Sequence, residues 1–125
     1  DLGELLLATA TGNLSSLSPS FSDSHSATVV LASEGYPESS ETGREISGAD
    51  LEIDEGVLRG YVHLAGASMI SGRLVSSGGR VLAATGIAPN LTEALDVAYQ
   101  IMDSISLEGS YFRTDIGHRA LSRRE

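Results

Sequence analysis

Residues 77–105, SGGRVLAATGIAPNLTEALDVAYQIMDSI, join a double-glycine turn, an apolar run and a helix with clear boundaries. The run at 80–87 predicts a strand, and residues 91–105 carry apolar side chains at helical spacing. Asn90 can cap the first helical turn, and Glu93 can reach back to it as a capping box. This stretch predicts a strand followed by an amphipathic helix packed on a sheet. The predicted buried face of the helix comprises Leu91, Ala94, Leu95, Ala98, Ile101, Met102 and Ile105.

The remaining segments predict short elements around this unit. Residues 2–10 predict a helix that stops near Gly12, and the β-branched run at 27–32 predicts a buried strand. A hairpin is expected at Ser71 and Gly72, and residues 33–45 predict an exposed loop. Further strands are expected at 46–47, 58–64 and 73–76, and the acidic residues 49–56 are expected to form a loop or a single helical turn. Short strands joined by tight turns favour an α+β fold: one domain over 1–125, with a small antiparallel sheet and a packed amphipathic helix.

The composition excludes several classes of function. The 125 residues carry a net charge of -9, which argues against nucleic acid or an anionic membrane surface as partner. Cysteine is absent, and all 8 basic residues are arginines, so thiolate chemistry, a phosphate-binding lysine and Schiff-base chemistry are excluded. No apolar run approaches the roughly 20 residues of a membrane span. Because the first residues lack the basic region of a signal peptide, a cytoplasmic protein is expected.

Gly78, Gly79 and Arg80 form the most informative candidate site. Glycine can adopt left-handed backbone angles and allows another molecule to approach closely. An arginine beside such a pair offers a planar fork that suits phosphate or carboxylate. The alternative is a tight turn whose arginine is merely solvated, and the pattern alone leaves both open.

The histidines and the acidic loop give weaker signals. His25, His63 and His118 are not spaced as a catalytic or metal-binding set, so ordinary surface or edge positions are expected. The carboxylates at 50, 52, 54 and 55 lack the pattern of a calcium-binding loop and predict a solvated segment. Ser33 does not lie in the motif of a serine hydrolase.

The C-terminal tail groups charged residues around Gly117. Arg113, Asp115, His118 and Arg119 fall within seven positions. An Asp–Arg pair that fixes the chain end is the favoured interpretation, and contact with a ligand is the alternative.

Several segments, read in order, carry a resemblance to one enzyme family. They are DLGELLLATATGNL, VVLASEGYP, TGREISG, SGGRVLAATG, NLTEALDVAYQIMDSI and YFRTDIGHRAL. Together they resemble the C-terminal, hybrid-motif-like domain of glycinamide ribonucleotide synthetase, also called phosphoribosylamine–glycine ligase, an ATP-grasp family. The resemblance covers nearly the whole chain.

The resemblance implies a reaction in which ATP, 5-phosphoribosylamine and glycine give ADP, phosphate and glycinamide ribonucleotide. ATP and Mg²⁺ would be bound by the family's lysines and its Glu/Asn pair, which precede the segment that DLGELLLA resembles. This chain would therefore be inactive alone and would pair with the N-terminal and ATP-grasp domains. Substrate contact is expected from Gly78, Gly79 and Arg80, with Arg80 meeting phosphate or orienting a carboxylate. Secondary contacts are expected from Ser33, Tyr36, Asp115 and Arg119, with no catalytic residue and no metal ligand.

Two segments depart from the family pattern. Where the family commonly has V-F-H-A-G-T, this chain has VHLAGA, so Leu64 takes the histidine position and Ala67 the threonine position. His63 lies one residue earlier, which on a strand turns its side chain to the opposite face. Glu38 stands where glycine is common.

A different class of function, a non-catalytic binding or assembly module with the same fold, is the alternative. A biotinyl-type carrier is set aside because lysine is absent.

Overall fold

The computed structural model describes residues 1–122 and shows an antiparallel sheet covered on one face by a helix. The last residues of the C-terminal tail, 123–125, lie outside the described part of the chain. The helices are α1 (Leu2–Ala10), α2 (Leu91–Ser104) and α3 (His118–Leu121), with a 3₁₀ turn over Leu14–Ser16. The strands are β1 (His25–Ala32), β2 (Ile53–Glu55), β3 (Leu58–Leu64), β4 (Ala67–Ile70), β5 (Arg73–Ser76) and β6 (Arg80–Ala88).

Strand β6 is central in a four-stranded sheet of order β1-β6-β3-β2. It pairs antiparallel with β1 from Ala88 opposite His25, and with β3 from Ile87 opposite Arg59. Strands β4 and β5 form a separate two-stranded sheet, closed by Ser71 and Gly72, which both have positive φ. Positive φ at both central residues is the requirement of a type I′ hairpin turn.

Helix α2 packs on the face of the sheet that includes Gly60 and Gly86. Both glycines allow the helix to approach, because a Cβ on Gly60 would lie 2.6 Å from Cδ1 of Ile101. Leu95, Ala98 and Met102 of α2 are buried at 6%, 0% and 1% exposure. The core between them and the sheet is completed by Val29, Leu31, Val81, Leu82, Ala84, Val97 and Ile101.

The main sequence predictions are confirmed, with small shifts at the ends of elements. Helix α1 and strand β3 have the predicted bounds, and α2 ends one residue before the predicted Ile105. The Asn90 side chain caps α2 by accepting from the Glu93 N–H at 2.9 Å. The return bond from the Glu93 side chain is not formed among the hydrogen bonds of residues 1–122.

Two predictions of local structure are wrong. The acidic segment 49–56 contains β2, which pairs with β3 because Ile53 packs against the main core on its inner side. Residues 46–47 do not form a strand: Glu45 and Ser47 make single bridges, to Val75 and to Ser106. Val75 lies on β5 and Ser106 follows α2, so no continuous ladder can form.

The N-terminal segment stands apart from the sheet. Asp1 caps α1 by accepting from the Glu4 N–H at 3.1 Å, and α1 packs mainly on the 3₁₀ turn that follows it. Leu2, Leu6 and Leu7 remain exposed. Within residues 1–122, no helix is long and apolar enough to cross a membrane.

Candidate functional site

The backbone of the Gly78–Gly79–Arg80 turn is held from two sides. On one side, Ser33 donates from its N–H to the Gly79 carbonyl and from its hydroxyl to the Gly78 carbonyl, both at 2.8 Å. On the other side, the Gly66 N–H donates to the Arg80 carbonyl at 2.9 Å. Ser33 is only 2% exposed, although it begins a loop predicted to be exposed. The entrance to β6 is therefore a fixed turn.

The two glycines are explained by close packing. Neither has a positive φ, so the left-handed conformation considered for the pair is not found. A Cβ on Gly79 would lie 2.9 Å from Cε2 of Tyr36 and 2.8 Å from Oγ of Ser40. A Cβ on Gly78 would meet the Gly66 Cα at 3.3 Å. At Gly79 the chain itself occupies the space that a side chain would take, whereas at Gly78 the contact is merely tight.

Arg80 is exposed at the first position of β6. The ion pairs of residues 1–122 use Arg44, Arg73 and Arg113, and none uses Arg80. Among the hydrogen bonds of the same residues, none has the N–H of Gly78 or Gly79 as donor. In the described chain, the Arg80 guanidinium and the amide N–H groups of Gly78 and Gly79 therefore have no hydrogen-bond partner.

A shallow depression of about 510 Å³ lies beside this turn. Tyr36 and Arg80 line it together with apolar residues that lie mainly on β1 and β6. The residues that line it are Val30, Tyr36, Ala65, Gly79, Arg80, Leu82 and Ala83. Such a surface can hold an anionic group at the arginine and an apolar or ring-shaped group against the wall.

Residues that sequence reasoning did not single out fix the loop that carries Tyr36. Arg44 Nη1 donates to Glu34 Oε2 at 2.5 Å and to the Glu108 carbonyl at 2.8 Å. The hydrogen bond to Glu34 raises the pKa of the Arg44 guanidinium above its usual value. The Tyr111 hydroxyl donates to the Tyr36 carbonyl at 2.5 Å. Nothing in the local spacing places residues 108–111 beside this loop, so the sequence offered no signal for these contacts.

Asp115 and Arg119 lie in a different depression, which shares no lining residue with the one beside Arg80. Asp115 accepts from Arg113 Nε at 2.8 Å and from Arg113 Nη2 at 2.7 Å. These hydrogen bonds lower the pKa of the Asp115 carboxyl. The structure thus brings together Ser33, Tyr36, Gly78, Gly79 and Arg80, and separates them from the pair at 115 and 119.

The histidines and acidic residues are dispersed. His63 lies exposed on β3 opposite Ala83, where its ring meets that of Tyr61 edge-on at 4.8 Å between centroids. Leu64, which takes the family's histidine position, is 54% exposed. The carboxylates at 50, 52, 54 and 55 are exposed, and residues 1–122 contain no group of three or more His, Cys, Asp or Glu that could hold a metal ion.

The fold and the site together define a class: a small α+β domain with one helix on an antiparallel sheet and an arginine presented at the entrance to the central strand. Residues 26–119 match the family model described as "Phosphoribosylglycinamide synthetase, C domain". The chain belongs to this family of C domains.

The relatives are longer proteins. The chain is 42% identical over 125 residues to phosphoribosylamine–glycine ligase of Caulobacter vibrioides, covering 99% of this chain and 29% of that protein. It is 45% identical over 122 residues to the ligase of Chlorobaculum tepidum, covering 97% of this chain and 28% of the relative. The chain thus spans less than a third of the length of these relatives.

A solved structure of a ligase of the same name is also similar to this chain. The chain resembles the crystal structure of phosphoribosylamine–glycine ligase from Thermotoga maritima with a TM-score of 0.61 and 36% sequence identity. The match covers 72% of this chain and 21% of that one. The α+β fold with antiparallel sheets therefore agrees with the C-terminal domain of such an enzyme.

Proposed function

We propose that this chain is the C-terminal part of an ATP-dependent ligase that joins glycine to 5-phosphoribosylamine and forms glycinamide ribonucleotide in purine biosynthesis. The observation that carries the proposal is the family match over residues 26–119, together with relatives named as this ligase that align with nearly all of the chain. The substrates and the cytoplasmic location are part of the proposal. The partners of the chain are the N-terminal and ATP-grasp domains of the same enzyme.

Within that enzyme, the turn at Gly78, Gly79 and Arg80 binds phosphoribosylamine. The Arg80 guanidinium is exposed and is not engaged by a carboxylate in residues 1–122, so its donors are available to a phosphate. The two neighbouring N–H groups add donors of the kind that bind oxyanions. Tyr36 and Ser33 act as secondary contacts that shape the wall of the pocket. Asp115 and Arg119 would reach the substrate only from the separate depression that they line.

We assign the binding of ATP and Mg²⁺ mainly to residues outside this chain. The chain has no lysine, and its described part offers no cluster of metal-binding side chains. Both are therefore assigned to the rest of the enzyme, and the chemical step is assigned there too. The contribution of this chain is to bind and orient the amine substrate.

An add-back experiment tests this function. The region that precedes this match in the relatives is expressed separately and mixed with the chain, with each part alone as control. ATP-dependent formation of glycinamide ribonucleotide is expected only in the mixture. If the two parts associate without ligation, the chain is a non-catalytic assembly module and the proposal is wrong.

Titration calorimetry of the chain alone with MgATP is expected to show no micromolar binding.

A further inference from the structure

The loop that carries Tyr36 is closed by its own backbone hydrogen bonds and is contacted from outside at Glu34 and Tyr36. Residues 34–41 close on themselves through the Ser39 N–H to the Gly35 carbonyl at 2.9 Å and the Glu41 N–H to the Glu34 carbonyl at 3.1 Å. The loop lies over Gly79, where Tyr36 and Ser40 leave no room for a Cβ. Its position therefore sets one wall of the depression beside Arg80.

Two contacts fix this loop to the segment that follows α2. At one, Arg44 bridges Glu34 and the Glu108 carbonyl, and Gly109 has a positive φ and no side chain to intrude on the ion pair. At the other, Tyr111 exchanges backbone hydrogen bonds with Ala32 at 2.9 and 3.0 Å while its hydroxyl reaches the Tyr36 carbonyl. Neither Arg44 nor Tyr111 lines the depression.

We infer that Arg44 and Tyr111 are positioning residues for the phosphoribosylamine pocket, acting through Glu34 and Tyr36 to hold the 34–41 loop against Gly79. The inference rests on the proposed function. Because both residues act on the wall of one pocket, they affect the binding of phosphoribosylamine and not that of ATP or glycine. A residue needed only for folding would lower the stability of the whole domain and affect all substrates together.

The test uses the complete enzyme and matched pairs of variants. Tyr111→Phe removes only the hydroxyl. Its control, Tyr99→Phe, removes a hydroxyl that donates to the Arg113 carbonyl at 2.9 Å and accepts from the Ile116 N–H at 3.2 Å, both away from the loop. Arg44→Met removes the bridging cation, and its control, Arg73→Met, breaks the exposed ion pair with Glu45. Tyr111→Phe and Arg44→Met are each expected to raise KM for phosphoribosylamine about three- to tenfold. KM for ATP and for glycine, and kcat, should stay within about twofold.

Equal changes for all three substrates, or no change for phosphoribosylamine, would overturn the inference. Arg80→Ala in the same assay separates this failure from that of the proposed function. If Arg80→Ala selectively weakens the use of phosphoribosylamine and Tyr111→Phe does not, the positioning role is wrong and the phosphate site stands. If neither variant has a selective effect on phosphoribosylamine, the phosphate site is wrong as well. Hydrogen exchange provides a readout without turnover: the amides of Ser39 and Glu41 should exchange faster in Tyr111→Phe than in Tyr99→Phe, and equal rates would contradict the inference.

Discussion

The backbone nitrogen of Ala98 on α2 lies so close to Gly86 on β6 that a Cβ on this glycine would be 2.8 Å away from it. Gly86 pairs directly with Gly60 on β3, where the nearest atoms to a Cβ are the side-chain ends of Val97 and Ile101. Side-chain ends can change rotamer, whereas the backbone of a helix must move as a unit. The contact at Gly86 therefore sets the distance between the helix and the sheet.

Substituting these paired glycines should give unequal effects. Gly60→Ala is expected to cost about 1–3 kcal/mol, as is usual when an extra methyl enters a packed core. Gly86→Ala should cost more than this, because α2 itself is displaced. Urea unfolding of both variants measures the difference. A smaller loss for Gly86→Ala than for Gly60→Ala would show that the helix does not rest on this position.

Leu95 tests the buried face of α2. It is 6% exposed and lies against Gly117, so Leu95→Ala should lower the free energy of unfolding by about 2–5 kcal/mol. Leu6→Ala is the control, because Leu6 is 61% exposed on α1 and its loss should change stability by no more than about 0.5 kcal/mol. Similar melting temperatures for Leu95→Ala and the unsubstituted chain would mean that this face is not packed.

The Arg113–Asp115 pair should give a stability contribution that depends on pH. The pKa of Asp115 is lower in the folded chain than the about 3.9 of an unfolded aspartate, so the ionised carboxylate stabilises the fold above about pH 4. That contribution disappears as the pH falls through the folded-state pKa. Asp115→Asn should therefore lower the melting temperature near neutral pH and have little effect in acid. Asp50→Asn, at an exposed carboxylate, is the control. A melting-temperature difference that persists unchanged in acid would exclude the ion pair as its cause.

The elements with strong local patterns were predictable from the sequence, and those that depend on distant partners were not. The spacing of Leu95, Ala98 and Met102 and the cap at Asn90 specify α2 because helix periodicity and capping are local properties. The acidic β2 was missed because its charged residues are typical of a solvated loop, and only pairing with β3 makes it a strand.

In the candidate site, too, the features with a local sequence signal were predictable and those that depend on distant partners were not. Gly78, Gly79 and Arg80 stand out because a glycine pair before a strand is a local signal, and residues at 33 and 36 do lie beside them. The contacts of Arg44 and Tyr111 join positions up to 75 residues apart, so no spacing rule reveals them. The separation of Asp115 from Arg80 likewise depends on the contact of the tail with α2 through Ile116 and Gly117.

The measurement that bears most directly on the proposed role of this chain is steady-state kinetics of Arg80→Ala in the complete enzyme, with each substrate varied in turn. Hydrogen bonds to a charged group contribute about 1.5–3 kcal/mol, so losing one or two should reduce kcat/KM for phosphoribosylamine by roughly tenfold to several hundredfold. The values for ATP and glycine should change far less, and Arg80→Lys should recover only part of the loss because an ammonium lacks the planar fork. Equal losses for all three substrates, accompanied by a lower melting temperature, would contradict a phosphate-binding role for Arg80.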